Sequence, residues 1–122
     1  MPYEHLTDCP PAEKQALPCR VFRIVATDPP TDSDFLSRAE EGKGTEPKNA
    51  VLACQWHGIS IFSDIDDAYQ HIDLFGSGPN IEMAKLDLNH GVVAPTPSKN
   101  FSNHMTWWPS DGIDRKSCFQ CV

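Results

Sequence analysis

The 122-residue chain reads as one α+β domain, with a small, twisted, mainly antiparallel sheet and two short helices. Three observations lead there. Apolar residues alternate with others in "CRVFRIVA" and "HMTWW", as half-buried strands require. Two capping-box patterns mark helix starts, Thr31 with Asp34 and Ser63 with Asp66. The elements run strand, helix, strand, helix, then mainly strands, with no internal repeat.

Residues 1–18 hold four prolines and little periodicity, so they are expected to form an N-terminal arm laid over the surface, or a partly disordered lead-in, before the domain at 19–122. The first strand, 19–26, ends at "TDPP", because two prolines cannot continue a central strand. A helix is expected at 32–41, stopped by Gly42 and followed by a loop at 42–49. "VLACQW" and "HGISIF" read as one interrupted strand or two short ones. Ile65, Ala68, Tyr69 and Ile72 then recur at helical spacing. Asp64, Asp66 and Asp67 lie in that helix's first turn, where the helix dipole favours negative charge. Strands are expected at 81–88, at 104–108 and in "SCFQCV", and a short strand or extended piece in "VVAPT".

Hydrophobic residues make up 39% of the chain and charged residues 22%, enough for a folded core. No apolar run approaches the roughly 18 residues of a membrane span. The start "MPYEHLTDCPPAEKQ" lacks the basic and apolar segments of a signal peptide, so the expected location is cytoplasmic. The net charge of −7 disfavours direct nucleic-acid binding, which needs a basic surface. Five cysteines, an odd number, argue against a disulfide framework. Cys118 and Cys121 have the C-x-x-C spacing, but nothing completes a zinc ligand set, and the Asp64–Asp67 order does not match a calcium loop. No metal is therefore expected.

Three groups could carry chemistry. Arg23 projects from a strand face otherwise made of Val21 and Val25, and its planar fork of donors suits phosphate or carboxylate. Ser60 stands between two isoleucines with no nucleophile elbow around it, so it is read as a ligand contact over the sheet and not as a hydrolase serine. His104, Thr106 and Trp108 alternate with Met105 and Trp107, a grouping able to line a pocket for a flat ring, with His57 as a further member. Each has a plain packing alternative: a surface or ion-paired arginine, a backbone-bonded serine, and tryptophans that close a core.

Taken in order, "RVFRIV…DPPTDSDFLSRAEEG…QWHGISIFSDIDDA…IEMAKLDL…HMTWW" resembles a family of short, functionally uncharacterised bacterial proteins over residues 19–108. A first-strand arginine, a helix ending in glycine, and a strand serine leading into a helix are also similar to the ADP-ribosyltransferase-like fold. That resemblance implies that Arg23 contacts an NAD phosphate or ribose and that Ser60 orients the nicotinamide ribose. It also implies a late glutamate, where this chain has His104 and Thr106, so catalytic transfer is left open.

Two functions are expected from these readings. One is a nucleotide-binding or transferase-like protein with an NAD-type ligand. There Arg23 holds phosphate, Ser60 a ribose hydroxyl, His57 or His104 acts in acid–base chemistry, with Thr106 beside them, and Trp107 or Trp108 flanks a ring. The other is a small acidic protein that covers a basic partner through Asp64, Asp66, Asp67 and Asp73, with Glu40 and Glu41.

Overall fold

The computed structural model describes residues 2–122. The elements in chain order are β1 (Cys19–Val25), a 3-10 turn (Asp32–Phe35), α1 (Arg38–Glu41), α2 (Ala50–Trp56), β2 (Ile59–Phe62) and α3 (Ile65–Phe75). Then follow β3 (Asn80–Leu86), β4 (Gly91–Pro95), β5 (His104–Pro109), a 3-10 turn (Lys116–Cys118) and β6 (Phe119–Cys121). All six strands join one antiparallel sheet in the order β4-β5-β2-β1-β3-β6. The expected α+β class and antiparallel sheet are present. No described helix is long and apolar enough to cross a membrane.

Strand alternation builds the main core on one sheet face. Val21, Val25, Ile59, Ile61, Met105 and Trp107 point there and meet Phe35 and Phe119. On the other face α3 lays Ile65, Ala68 and Ile72 over Phe22, Phe62 and Ile81. Asp64 starts α3 by accepting a hydrogen bond from Asp66 N, and Gly76 ends it in the left-handed conformation at φ 58°. The capping residue is thus Asp64, one position after the expected Ser63.

Three sequence readings need correction. "VLACQW" forms α2, capped by the Asn49 side chain on Leu52 N, and not a strand. The helix expected at 32–41 is broken at Leu36, whose extended backbone (ψ 145°) separates the 3-10 turn from α1. The return bond expected of the first box is made, Thr31 N donating to Asp34 Oδ2.

The third correction is a disulfide between Cys9 and Cys54. An odd cysteine count rules out pairing every thiol, but it leaves room for one bond, and Cys19, Cys118 and Cys121 remain free. This bond pins the N-terminal arm against α2. Tyr3 packs with Cys54, Ala94 and Trp108, and Gln15 N donates to Val93 O. The arm and α2 therefore cover β4 and β5 on the same face that α3 covers over β1 and β2.

Candidate functional site

Between these two covers the sheet face is left open, and Ser60 lies on its floor. The cleft has a volume of about 410 Å³, within the range usual for small-molecule sites. Arg23, Ile24, Ser60, Phe62 and His104 line it from the strands, Leu36, Arg38 and Glu41 from α1 and its approach, Gln55 and Gly58 from the end of α2, and His71 and Ser77 from α3 and the turn after it.

The sheet itself makes room for Arg23. β1 and β2 pair at one position, Phe22 opposite Phe62, whereas β1 pairs with β3 along its whole length. By alternation Arg23 belongs with Val21 and Val25, and Ser60 with Phe62, on opposite faces. The opening between β1 and β2 lets the guanidinium reach across. Nη1 donates to Ser60 O at 2.7 Å and Nε to Asp34 O at 3.0 Å. Both acceptors are neutral carbonyls, and no carboxylate of the described residues forms an ion pair with Arg23 within 4.0 Å. Its cross-strand neighbour Glu82 is buried, and burial together with Asp28 and Asp34 pushes the Glu82 carboxyl up.

Burial pulls the Arg23 pKa down, opposed by Glu41 and Asp34, but an arginine stays charged under such a load. Asp34 is spoken for by other donors, Ala26 N, Thr31 N and Thr27 Oγ1. Burial acts against its ionisation, yet those hydrogen bonds and Arg23 hold its pKa below the usual value. Five N–H groups on a guanidinium and two carbonyl partners leave donors for a ligand.

His104 is fixed by Thr96. Its Nδ1 lies 2.9 Å from Thr96 O and 2.9 Å from Thr96 Oγ1. A carbonyl only accepts, so Nδ1 carries the proton and the neutral ring keeps its lone pair on Nε2. Burial lowers the His104 pKa, against the bond to Thr96 and with the help of His71 and Arg23. Burial lowers His71 as well, and its Nδ1 pairs with Ser77 Oγ at 2.7 Å. Both rings are thus neutral near pH 7 and ready to take up protons beside an anion.

Gly58 shapes the cleft edge. A Cβ there would press into the Thr106 methyl and lie 3.1 Å from the Trp108 indole, so α2 can turn into β2 this close to β5 only at a glycine.

The other expected site residues lie elsewhere. Thr106 is buried, with Oγ1 bonded at 2.8 Å to Thr96 Oγ1, the hydroxyl that also meets His104 Nδ1. Trp107 is fully buried in the main core, with its Nε1 on His90 O. Trp108 packs on the arm, with its Nε1 on Cys54 O. Neither tryptophan lines the cleft, because alternation sends them to opposite faces and both faces are packed at that end. His57 turns away from the cleft to Glu46. The acidic residues are also divided: Glu40 is held by both Nη groups of Arg115, and Asp67 accepts from Asn103 N.

Sequence reading missed Arg38, Gln55, His71 and Ser77. His71 had a faint signal, three residues after Ala68 and so beside the buried stripe of α3. A larger cavity of about 640 Å³ lies between the arm and α2, but among the described residues only Asp8 and Glu13 bring charge to its lining. The smaller cleft holds the convergent donors. No protein-family model, curated protein or solved structure matches the chain, and nothing supports the ADP-ribosyltransferase-like fold.

Proposed function

We propose that the protein binds a small phosphate-bearing ligand of the nucleotide class, NAD-type ligands included, in the cleft over Ser60. One observation carries this reading: Arg23, Arg38, His71 and His104 converge on one cleft of a chain with net charge −7. Arg23 is immobilised by two carbonyls and keeps donors over. Arg38 forms neither an ion pair nor a hydrogen bond through its guanidinium among the described residues. Two arginines with free donors match the oxygen geometry of phosphate. Ser60 and Ser77 add hydroxyls of the kind that hold ribose or phosphate oxygens.

The reading is one of binding. Among the described residues Glu41 is the one carboxylate that lines the cleft, and it comes from α1, so no described late-strand glutamate stands beside Ser60. The His104 Nε2 lone pair is the group suited to accept a proton from a bound hydroxyl.

Calorimetric titration with inorganic phosphate, AMP, ADP-ribose and NAD⁺ tests it. Binding of at least one nucleotide, weakened about tenfold or more by Arg38→Ala, is expected. No heat with any of them at about 1 mM overturns the reading. Salt-dependent binding to polylysine in that case would favour the acidic partner-binding role instead.

A further inference from the structure

We propose that His5, Glu46 and His57 form a zinc site that ties the N-terminal arm to the end of α2. The three residues come from separate segments: the arm, the loop between α1 and α2, and the residue that caps α2. Their ligand atoms all lie within 4.8 Å of one another. His57 Nε2 stands 2.6 Å from Glu46 Oε1, and His5 Nε2 stands 2.7 Å from the same oxygen. Two imidazoles aimed by the same nitrogen at one carboxylate oxygen is the convergence a metal ion requires.

The burial pattern suits capture of an ion. The His57 side chain is 7% exposed, and its Nδ1 has no hydrogen-bond partner among the described residues. The Glu46 oxygen is therefore the polar contact that orients the ring. His57 is further held by a T-shaped ring contact with Trp56 and a tilted one with Tyr3. Against this fixed ligand the other two can move, since the side chains of His5 and Glu46 are 53% and 32% exposed. Four-coordinate zinc with bonds near 2.0–2.2 Å spaces its ligand atoms about 3.3 Å apart, so the two short contacts need open by only ~0.7 Å.

The donor set selects the metal class. Two imidazoles and one carboxylate suit zinc, whereas calcium and magnesium prefer all-oxygen shells. His5 is on the surface, which leaves a fourth position for water. The sequence concealed this site because positions 5, 46 and 57 follow no ligand spacing.

The test uses the full chain with its disulfide intact and the free thiols Cys19, Cys118 and Cys121 alkylated, so that sulfur ligands do not compete. Zinc chloride is titrated by calorimetry and by thermal shift, and cobalt(II) replaces it for visible spectroscopy. Expected are one zinc per chain, a rise in melting temperature, and the absorption of a four-coordinate cobalt site. His5→Ala and Glu46→Gln each weaken binding about tenfold or more. His5 is exposed, so its variant folds even if a His57 variant does not. No zinc binding at about 1 mM, or equal affinity in both variants, would reduce the cluster to hydrogen bonds alone and overturn the proposal.

Discussion

The Nη1 of Arg23 donates to the backbone carbonyl of Ser60 at 2.7 Å, where β1 and β2 have parted. A side chain thus bridges the two strands beyond their single paired position, and the same side chain supplies the cleft with positive charge. Arg23→Met should therefore have two effects. Loss of hydrogen bonds to two carbonyls, one of them near solvent, costs about 1–2 kcal/mol of stability by denaturant titration. Nucleotide binding falls as well. Ser60→Leu separates these effects, since the exposed Ser60 side chain makes no hydrogen bond of its own among the described residues. It should fill the cleft floor and block ligand while changing stability by about 0.5 kcal/mol or less. Normal binding by Ser60→Leu would show that the ligand lies elsewhere.

Acid should weaken the free protein and tighten its hold on an anion. Burial lowers His71 and His104 below 6.5 in the folded state, so the unfolded chain binds more protons just below that pH. Stability is complete above about pH 6.5 and declines as pH falls through the window between the unfolded and folded values. A bound dianion pulls both pKa values up again, so its affinity should rise across that same window. Sulfate is the clean probe, because its own charge does not change there. Thermal melts and sulfate titrations of the wild type and His104→Asn check both signs. Flat sulfate affinity between about pH 7.5 and 5.5 would remove the histidines from the site.

Gly58→Ala should destabilise by about 1–3 kcal/mol, since the new methyl meets the buried Thr106 and Trp108 side chains. A denaturation midpoint equal to wild type would mean that α2 approaches β5 less closely than described.

The Cys9–Cys54 bond closes a loop across a sequence separation of 45, worth about 4 kcal/mol in the chain-entropy account. Peptide mapping without reductant should recover the two cysteines joined, and the Cys9→Ser/Cys54→Ser variant should melt at lower temperature. Recovery of five free thiols from air-oxidised protein would sink the assignment. Such a bond persists in oxidising surroundings.

Much of the fold was legible because strands and long helices impose a period. β1, β5 and α3 appear where alternation or a 3.6-residue stripe placed them. α2 escaped because Val51 to Cys54 is a short apolar run that fits either structure, and both Val51 and Leu52 end up exposed. Its signal was Asn49, a capping residue. The cleft was half legible for the same reason. Arg23, Ser60 and His104 stand out on strands as polar residues among apolar ones. Arg38, His71 and Ser77 arrive from elements whose placement over the sheet is set by packing, which no local pattern records. The two tryptophans show the limit of alternation: it separates their faces but does not tell a packed face from an open one.

The cysteine bond has a topological consequence for the cleft. It turns residues 9–54 into a covalent ring, with Arg23, Arg38 and Glu41 on its circumference. Ser60, His71, Ser77 and His104 belong to the linear chain outside it. The cleft is thus a seam between ring and chain, with its arginines on one side and its histidines on the other. Opening the ring relaxes the arginine side while the histidine side keeps its own supports, α3 and the Thr96 bonds.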